Sequence, residues 1–176
     1  MAILAAGGIV MRGGARPLFA IVRRSKDGRW VLPRGKLRRN ERPVVGAKRE
    51  AVEETGHRMQ VHEFIGAVTY STRGKPKVVQ YWRMQAEDTP HHEPARDIEK
   101  VNWLSLSSAV GKLSNPLESL FLRNVGRRAL KAHNGSGTRK RRADAKRKLR
   151  ARKKKKKRGG NLLKRIFSRP ASRRAH

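Results

Sequence analysis

Three glutamates lie at helical spacing in the most chemically informative part of the sequence. Glu50, Glu53 and Glu54 are three and four residues apart, so on an α-helix their carboxylates share one face. Like charges at this spacing repel each other, and a bound cation reverses that effect. Clustered oxygen ligands suit Mg²⁺ or Mn²⁺, which substrate phosphates commonly complete. The pattern therefore predicts metal-assisted chemistry on a phosphate ester or anhydride.

The residues around these glutamates decide against an ordinary solvated acidic face. They follow the spacing Gly-x5-Glu-x7-Arg-Glu-U-x-Glu-Glu-x-Gly-U, with U apolar, except at the last position, which is His57. The matching residues are Gly35, Glu41, Arg49, Glu50, Ala51, Glu53, Glu54 and Gly56. Seven of these positions, all except the apolar position of Ala51, allow a single residue type. At roughly one in 20 for each, the probability of a chance match is on the order of 10⁻⁹ per window. We expect His57 to affect local packing and not the chemistry.

This stretch resembles the Nudix box, and the resemblance continues into the flanking residues. Trp30–Lys36, Val78–Trp82 and Asp97–Leu104 are similar to the flanks of the box in MutT-type and diadenosine-polyphosphate hydrolases. The resemblance covers about residues 2–130. It implies an α/β/α sandwich with a mixed sheet, and a pyrophosphohydrolase that cleaves a diphosphate linkage in a nucleoside polyphosphate with a metal-activated water. Mg²⁺ is the expected ion, with Mn²⁺ as the alternative.

The resemblance also implies roles for individual residues of the box. The implied metal ligands are the carboxylates of Glu50, Glu53 and Glu54 and the backbone carbonyl of Gly35. Glu41 and Arg49 are expected to brace the loop and the helix. The group that takes the proton of the attacking water is either a box glutamate or a carboxylate of the loop before Val101. We choose Asp97 for the loop position, with Glu93 and Glu99 as alternatives.

Candidate substrate contacts lie on both sides of the box. Arg34 and Lys36 flank the turn into it and are expected to contact the polyphosphate, unless they are ordinary surface cations. Tyr81 alternates with Val79 and Arg83 on one face of a predicted strand, so its ring is expected to stack on a base. The three tryptophans are expected in the core, and the adjacent His91 and His92 are not expected to share a metal ion.

Short apolar or alternating runs separated by Gly, Pro or charged residues predict the elements that position these residues. The predicted strands are Ala2–Met11, Pro17–Arg23, Val61–Thr72, Lys77–Gln85 and Val101–Leu104. Helical periodicity predicts two helices, Arg42–Thr55, which stops at Gly56, and Pro116–Ala132. Strands covered by helices indicate an α/β layered domain.

The charge distribution divides the chain into a domain, residues 1–133, and a basic tail, residues 134–176. Of the 176 residues, the first part holds 25 basic and 12 acidic residues and the tail 20 basic and 1 acidic, within a net charge of +32. The tail follows a Gly- and Ser-rich hinge and is expected to be disordered or loosely helical when free. Cysteine is absent, which excludes disulfides, thiolate nucleophiles and cysteine-bound zinc.

A polyanionic partner is the expectation for the tail. RNA or DNA is expected to bind residues 139–174. One alternative is that Leu162–Phe167 attaches the chain to an anionic membrane surface. Another is that the tail is only a solubilising extension. Ala2–Met11 is too short for a membrane span and reads poorly as a signal peptide, so a cytoplasmic protein is expected. The alternative substrates are RNA 5′ ends and inositol pyrophosphates, and the non-enzymatic alternative is a nucleic-acid-binding protein with a scaffold Nudix domain.

Overall fold

The computed structural model describes residues 2–14, 16–72 and 74–133. Seven strands are seen in this part: β1 Ile3–Arg12, β2 Leu18–Arg24, β3 Trp30–Val31, β4 Arg34–Lys36, β5 Met59–Thr72, β6 Lys75–Ala86 and β7 Ile98–Leu104. The helices are α1 Pro43–Thr55, α2 Leu106–Lys112 and α3, which covers residues 116–133. The basic tail with its hinge and apolar segment lies outside the described residues.

The strands form one mixed sheet in the order β3-β2-β1-β6-β5. The neighbours β1 and β6 are parallel, whereas β1 with β2, β5 with β6 and β2 with β3 are antiparallel. Two strands lie off this path, because β4 pairs with β1 and β7 pairs with β2. The pairing of β4 with β1 places the start of the motif at the middle of the sheet.

Each face of the sheet packs against helices, which confirms the predicted α/β/α sandwich. On one face, Ile9, Phe19 and Tyr81 of the sheet pack in one apolar cluster with Ala109 of α2 and Leu122 of α3. The other face carries a second cluster, in which α1 packs on β1, β2 and β6; its buried members are Ala6, Val10, Ala20, Ala47, Ala51, Met59, Met84 and Ala86. The helix that carries the glutamates is thus held on the sheet by small alanines.

Local sequence signals explain both ends of α1. Pro43 stands in the first turn, where the missing N–H costs nothing. Gly56 ends the helix in the left-handed conformation with φ 77°, and its N–H bonds to the carbonyl of Val52. A Cβ on Gly56 would lie 2.2 Å from the carbonyl oxygen of His92, so this turn requires glycine for two reasons.

Three short elements of the structure were not predicted from the sequence. The strands β3 and β4 have two and three residues, too few for a recognisable period, and α2 has seven. Among the described residues, no helix is both long and apolar enough to cross a membrane.

Candidate active site

The backbone of Gly35 lies directly against the carboxylate of Glu50. Gly35 pairs with Ala6 in the antiparallel β4–β1 ladder, which fixes its position on the sheet. A Cβ added to Gly35 would stand 2.0 Å from Cδ of Glu50 and 2.1 Å from each of its oxygens. Only glycine therefore allows the first residue of the motif and the first glutamate of its helix to meet.

Arg49 connects the helix to the loop before it. Its Nε and Nη2 donate to the two carboxylate oxygens of Glu41 at 2.8 and 2.9 Å, and the backbone N–H of Arg38 donates to Glu41 at 2.9 Å. Nη2 of Arg49 also donates to the carbonyl of Lys36 at 3.3 Å. Hydrogen bonding to Arg49 lowers the pKa of Glu41 to about 2. This arrangement supports the bracing role that the sequence predicts for the pair.

The same guanidinium lies between two of the predicted metal ligands. Nη1 of Arg49 is 2.6 Å from Oε1 of Glu50 and 3.1 Å from Oε2 of Glu53. Glu53 is 44% exposed and also contacts Arg38 at 3.5 Å, whereas the side chain of Glu50 is 15% exposed. A single cationic nitrogen thus satisfies both carboxylates.

Glu54 is the most enclosed of the three glutamates. It is 7% exposed, and its Oε2 accepts a hydrogen bond of 2.9 Å from the backbone N–H of Arg34. Burial raises the pKa of Glu54 to about 8, and the neighbouring charges of Glu50 and Asp97 add to the effect. Burial also raises the pKa of Glu50. Burial therefore disfavours the ionised forms of Glu50 and Glu54, and a bound cation would stabilise them.

The donor set fits a hard divalent cation. The carboxylate of Glu50 faces the backbone of Gly35. Glu53 and Glu54 follow on the next turn of α1, and oxygen donors of this kind suit Mg²⁺ or Mn²⁺. Within residues 2–14, 16–72 and 74–133, no three acidic or histidine side chains converge on one point. Glu50 and Glu53 are both paired with the guanidinium of Arg49.

Arg34, which the sequence predicts to contact phosphate, has a buried and ion-paired side chain. It is 9% exposed, and its Nε donates to Oε1 of Glu118 at 2.8 Å. Burial works against its charge, but the ion pair with Glu118 raises the pKa of Arg34 overall. The geometry therefore corrects the expectation of a guanidinium free to meet the polyphosphate.

Glu118 is the residue that the sequence interpretation missed. Its side chain is fully buried in α3, and its Oε2 accepts from the backbone N–H of Leu32 at 3.0 Å. A signal for it exists, because Glu118 lies at helical spacing from the buried Leu122 and Ala129. An acid on the apolar stripe of a helix needs a buried partner.

Tyr81 also departs from its expected place. It is completely buried, and its ring centroid lies 5.2 Å from that of Phe121. The covering helix α3 explains this, since it packs over the sheet face to which Tyr81 belongs. The geometry does not support stacking of Tyr81 on a base.

Two lysines add positive charge around β4, the strand that carries Arg34. Lys36 is exposed at the end of β4, as its predicted role requires. Lys77 of β6, which the sequence interpretation did not single out, is half-buried; burial lowers its pKa to about 8, and the charges of Arg34 and Lys36 contribute. These cations are thus close enough to repel one another, and an anion between them would relieve that repulsion.

The charge of Asp97 acts on the carboxyl group of Glu54. Its charge contributes to the raised pKa of Glu54, and its backbone carbonyl accepts from the N–H of Ser25 at 2.8 Å. The same loop is held to α1 by a 2.8 Å bond from the N–H of Ala95 to the carbonyl of Glu53. The alternative Glu99 is paired instead with Arg23 at 2.8 Å.

The contacts of His57, His91 and His92 involve none of the three glutamates of α1. His57 is buried, bonds the carbonyl of Glu87 at 2.7 Å and meets Trp103 edge-on at 5.0 Å. His91 contacts the carboxylate of Glu87 at 2.6 Å, and His92 bonds the carbonyl of Glu93. A cavity of about 430 Å³ between α1 and β7 is lined by residues that include His57, His92, Glu93 and Trp103.

With this geometry in place, comparison with known proteins decides the family. The model of the NUDIX domain matches residues 1–124. The chain belongs to the NUDIX family. The prediction made from the box is therefore confirmed, and the box of this Nudix domain is the site built by Gly35 and α1.

Two curated relatives are similar to part of the chain. An 8-oxo-(d)GTP phosphatase of Mycolicibacterium smegmatis is 33% identical over 109 residues, which are 62% of this chain and 34% of that protein. A MutT-like protein of Streptomyces ambofaciens is 43% identical over 67 residues, 38% of this chain and 42% of that protein. The Nudix chain thus spans less than half the length of either relative.

Solved structures agree with the fold. A C. elegans Ap4A hydrolase in a binary complex superposes with a TM-score of 0.63 at 24% identity, over 69% of this chain and 93% of that chain. A MutT protein from Methanosarcina mazei Go1 also gives a TM-score of 0.63, at 22% identity, over 72% and 94% of the two chains. At this level of identity, the similarity establishes the architecture.

Proposed function

We propose that the protein is a Mg²⁺-dependent pyrophosphohydrolase that cleaves a diphosphate linkage in a nucleoside polyphosphate. The observation that carries this proposal is the contact between Gly35 and Glu50, which brings the start of the Nudix box against its glutamate helix. Glu50, Glu53, Glu54 and the backbone carbonyl of Gly35 would hold the metal. When bound, the metal neutralises phosphate oxygens and lowers the pKa of a water molecule.

The chain's own residues would divide the remaining work. Glu41 and Arg49 hold the loop against α1, so the carboxylates keep their spacing. Asp97, or one of the box glutamates, would accept the proton of the attacking water, since Asp97 already acts electrostatically on Glu54. Glu93 and Glu99 remain the alternatives for this role, although Glu99 is engaged by Arg23.

Positive charge supports a polyphosphate substrate. The charge of Lys36 helps to lower the pKa of the half-buried Lys77, and a chain of phosphates would neutralise both lysines. The curated relative that acts on 8-oxo-(d)GTP makes an oxidised nucleoside triphosphate the first candidate, and a dinucleoside polyphosphate is the second. Free nucleotides of this kind are consistent with a cytoplasmic site of action.

A substrate panel tests the proposal. The full chain is incubated with Mg²⁺ and 8-oxo-dGTP, dGTP, Ap4A, 5′-triphosphorylated RNA or an inositol pyrophosphate, in ¹⁸O-labelled water. We expect turnover of a nucleotide, with ¹⁸O in one phosphate product that identifies the scissile bond. Preferred turnover of RNA or of the inositol compound would replace the nucleotide assignment with the corresponding alternative. If the wild-type chain turns over no substrate faster than the Glu53→Gln, Glu54→Gln double variant, the proposed hydrolysis is wrong. The non-enzymatic alternative, a nucleic-acid-binding protein with a scaffold Nudix domain, would then remain.

The tail supports a second, separate proposal. Residues 134–176 carry 20 basic and 1 acidic residues, a density that favours contacts with phosphates of RNA or DNA. We propose that residues 139–174 bind nucleic acid independently of hydrolysis. Deleting residues 134–176 should abolish nucleic-acid retention while nucleotide turnover survives. Loss of both together would instead make the tail part of the catalytic domain.

A further inference from the structure

We propose that Glu118 is a positioning residue that sets the geometry of the metal-binding glutamates through Arg34. This inference rests on the proposed function, because it assigns a role to Glu118 in that same site. Glu118 belongs to α3, on the opposite face of the sheet from the glutamate helix α1. Its influence therefore passes through the sheet, and Arg34 is the residue that transmits it.

Glu118 uses both carboxylate oxygens on the segment that leads into the box. Oε1 accepts from the guanidinium Nε of Arg34 at 2.8 Å, and Oε2 accepts from the backbone N–H of Leu32 at 3.0 Å. One side chain thus holds a main-chain group two residues before Arg34 and the side chain of Arg34 itself. The segment between them has little freedom to shift along the sheet.

The other face of this segment touches the glutamates. The backbone N–H of Arg34 donates to Oε2 of Glu54 at 2.9 Å, and the next residue, Gly35, is packed against Glu50. Arg34 is therefore held from both sides, by Glu118 through its side chain and by Glu54 through its main chain. A displacement of Arg34 would move the donor that orients Glu54 and the backbone that faces Glu50.

Both charge and length of Glu118 matter for this coupling. Its side chain is fully buried and that of Arg34 is 7% exposed, so water cannot replace either partner. A shorter aspartate keeps the charge balance of the pair but cannot reach the N–H of Leu32 and the guanidinium together. Residues that support metal ligands in this manner typically alter metal affinity or activity by roughly 10–100-fold when changed.

The test compares Glu118→Asp and Glu118→Gln with a matched control, Leu122→Ala, in the full chain. Leu122 lies one turn further along α3, is equally buried and contacts the apolar core, so its truncation destabilises the fold without altering the ion pair. Mn²⁺ binding is measured by calorimetry, thermal stability by circular dichroism, and kcat and KM on the substrate found in the panel. Hydrogen exchange of the Arg34 amide reports the bond to Glu54.

We expect Glu118→Asp to fold, to weaken Mn²⁺ binding and kcat by roughly 10–100-fold, and to leave KM nearly unchanged because Glu118 does not touch the substrate. The Arg34 amide should exchange faster. Leu122→Ala should lower the melting temperature and keep Mn²⁺ affinity. Normal Mn²⁺ affinity in Glu118→Asp would overturn the proposal, as would an equal loss in Leu122→Ala.

Two further outcomes separate this inference from the proposed function. If Glu118→Gln fails to fold, the aspartate variant decides alone, since it retains the charge of the buried pair. If Mn²⁺ binding depends on Glu118 while no substrate is turned over, the positioning role stands and the proposed hydrolysis fails. Turnover that is indifferent to Glu118 removes only the positioning role, and a wild-type chain that binds no Mn²⁺ overturns both.

Discussion

Gly35 and Glu50 are in contact with no space between them, since a Cβ on Gly35 would stand 2.0 Å from Cδ of Glu50. The contact joins the strand β4, held in the sheet by β1, to the helix that carries all three glutamates. The absence of a side chain at Gly35 thus leaves the space that the carboxylate of Glu50 occupies. Any side chain would displace a carboxylate that is proposed to bind metal.

Replacing Gly35 with alanine should therefore disable the site more than the fold. We expect Gly35→Ala to reduce kcat/KM by at least about 100-fold, because Glu50 must move away from the new methyl group. The matched control is Gly111→Ala in α2, where a Cβ meets no described atom within 4 Å. That change should preserve activity and stabilise the helix by about 1 kcal/mol. Steady-state kinetics and thermal melts of both variants measure the contrast, and equal activities would refute the steric argument.

Glu53 offers a test of the carboxylates that leaves the core undisturbed. Its side chain is 44% exposed, so Glu53→Gln should keep the fold while removing one charged oxygen ligand. We expect a fall in kcat of about 100-fold or more and a higher Mg²⁺ requirement. Asp27→Asn removes a partly exposed acid paired with Arg24 and should have no such effect. Mg²⁺ titrations of the initial rate distinguish the two, and similar curves would argue against Glu53 as a ligand.

The sequence predicted the box and the layered fold because both depend on local spacing. Glu50, Glu53 and Glu54 lie on adjacent turns of one helix, so their shared face follows from helical geometry alone. The five longer strands were also located from their alternating or apolar runs. Gly56 ends α1 at the predicted position, because glycine readily adopts the left-handed conformation that terminates a helix.

The partners of Arg34 and Tyr81 could not be predicted in the same way. Arg34 is neutralised by Glu118, which is 84 residues distant in sequence, and no local pattern records that pairing. Tyr81 lies on the expected strand. However, its burial depends on which face of the sheet α3 covers, and α3 packs on the face that carries Tyr81. Strand alternation gives two faces, and tertiary packing decides which one is buried.

Acid should destabilise the fold through His57. Burial lowers the pKa of this side chain below 6.5, so the unfolded chain takes up the proton more readily than the folded one. The contribution of neutral, buried His57 to the free energy of unfolding is fully present above about pH 6.5 and decreases as the pH falls below that value. We expect the melting temperature of His57→Gln to depend less on pH between 7 and 5 than that of the wild type.

The exposed His92 provides the control for this prediction. His92→Gln should keep the pH dependence of the wild type, because the ring of His92 lies at the surface. Part of the slope should remain in the His57 variant, since burial also lowers the pKa of His62. Identical pH profiles for wild type and His57→Gln, measured by thermal melts in one buffer series, would exclude His57 as a source of acid sensitivity.

The salt dependence of RNA binding should identify the phosphate contacts of the tail. Lys153–Lys157 is an uninterrupted run of five lysines. If each lysine neutralises one phosphate of a single strand, changing all five to glutamine should reduce the slope of log K against log salt by roughly 3 to 4. Filter binding or fluorescence anisotropy at several salt concentrations measures this slope, and nucleotide turnover should not change.

A control with the same loss of charge separates the tail from the net charge of the protein. Five scattered lysines that are exposed on the domain can be changed to glutamine together: Lys26, Lys48, Lys75, Lys100 and Lys131. Because they do not form a continuous run, few of them can follow one strand of RNA, and we expect the slope to stay close to that of the wild type. Equal slopes in the two variants would mean that overall charge, and not the tail, determines retention of nucleic acid.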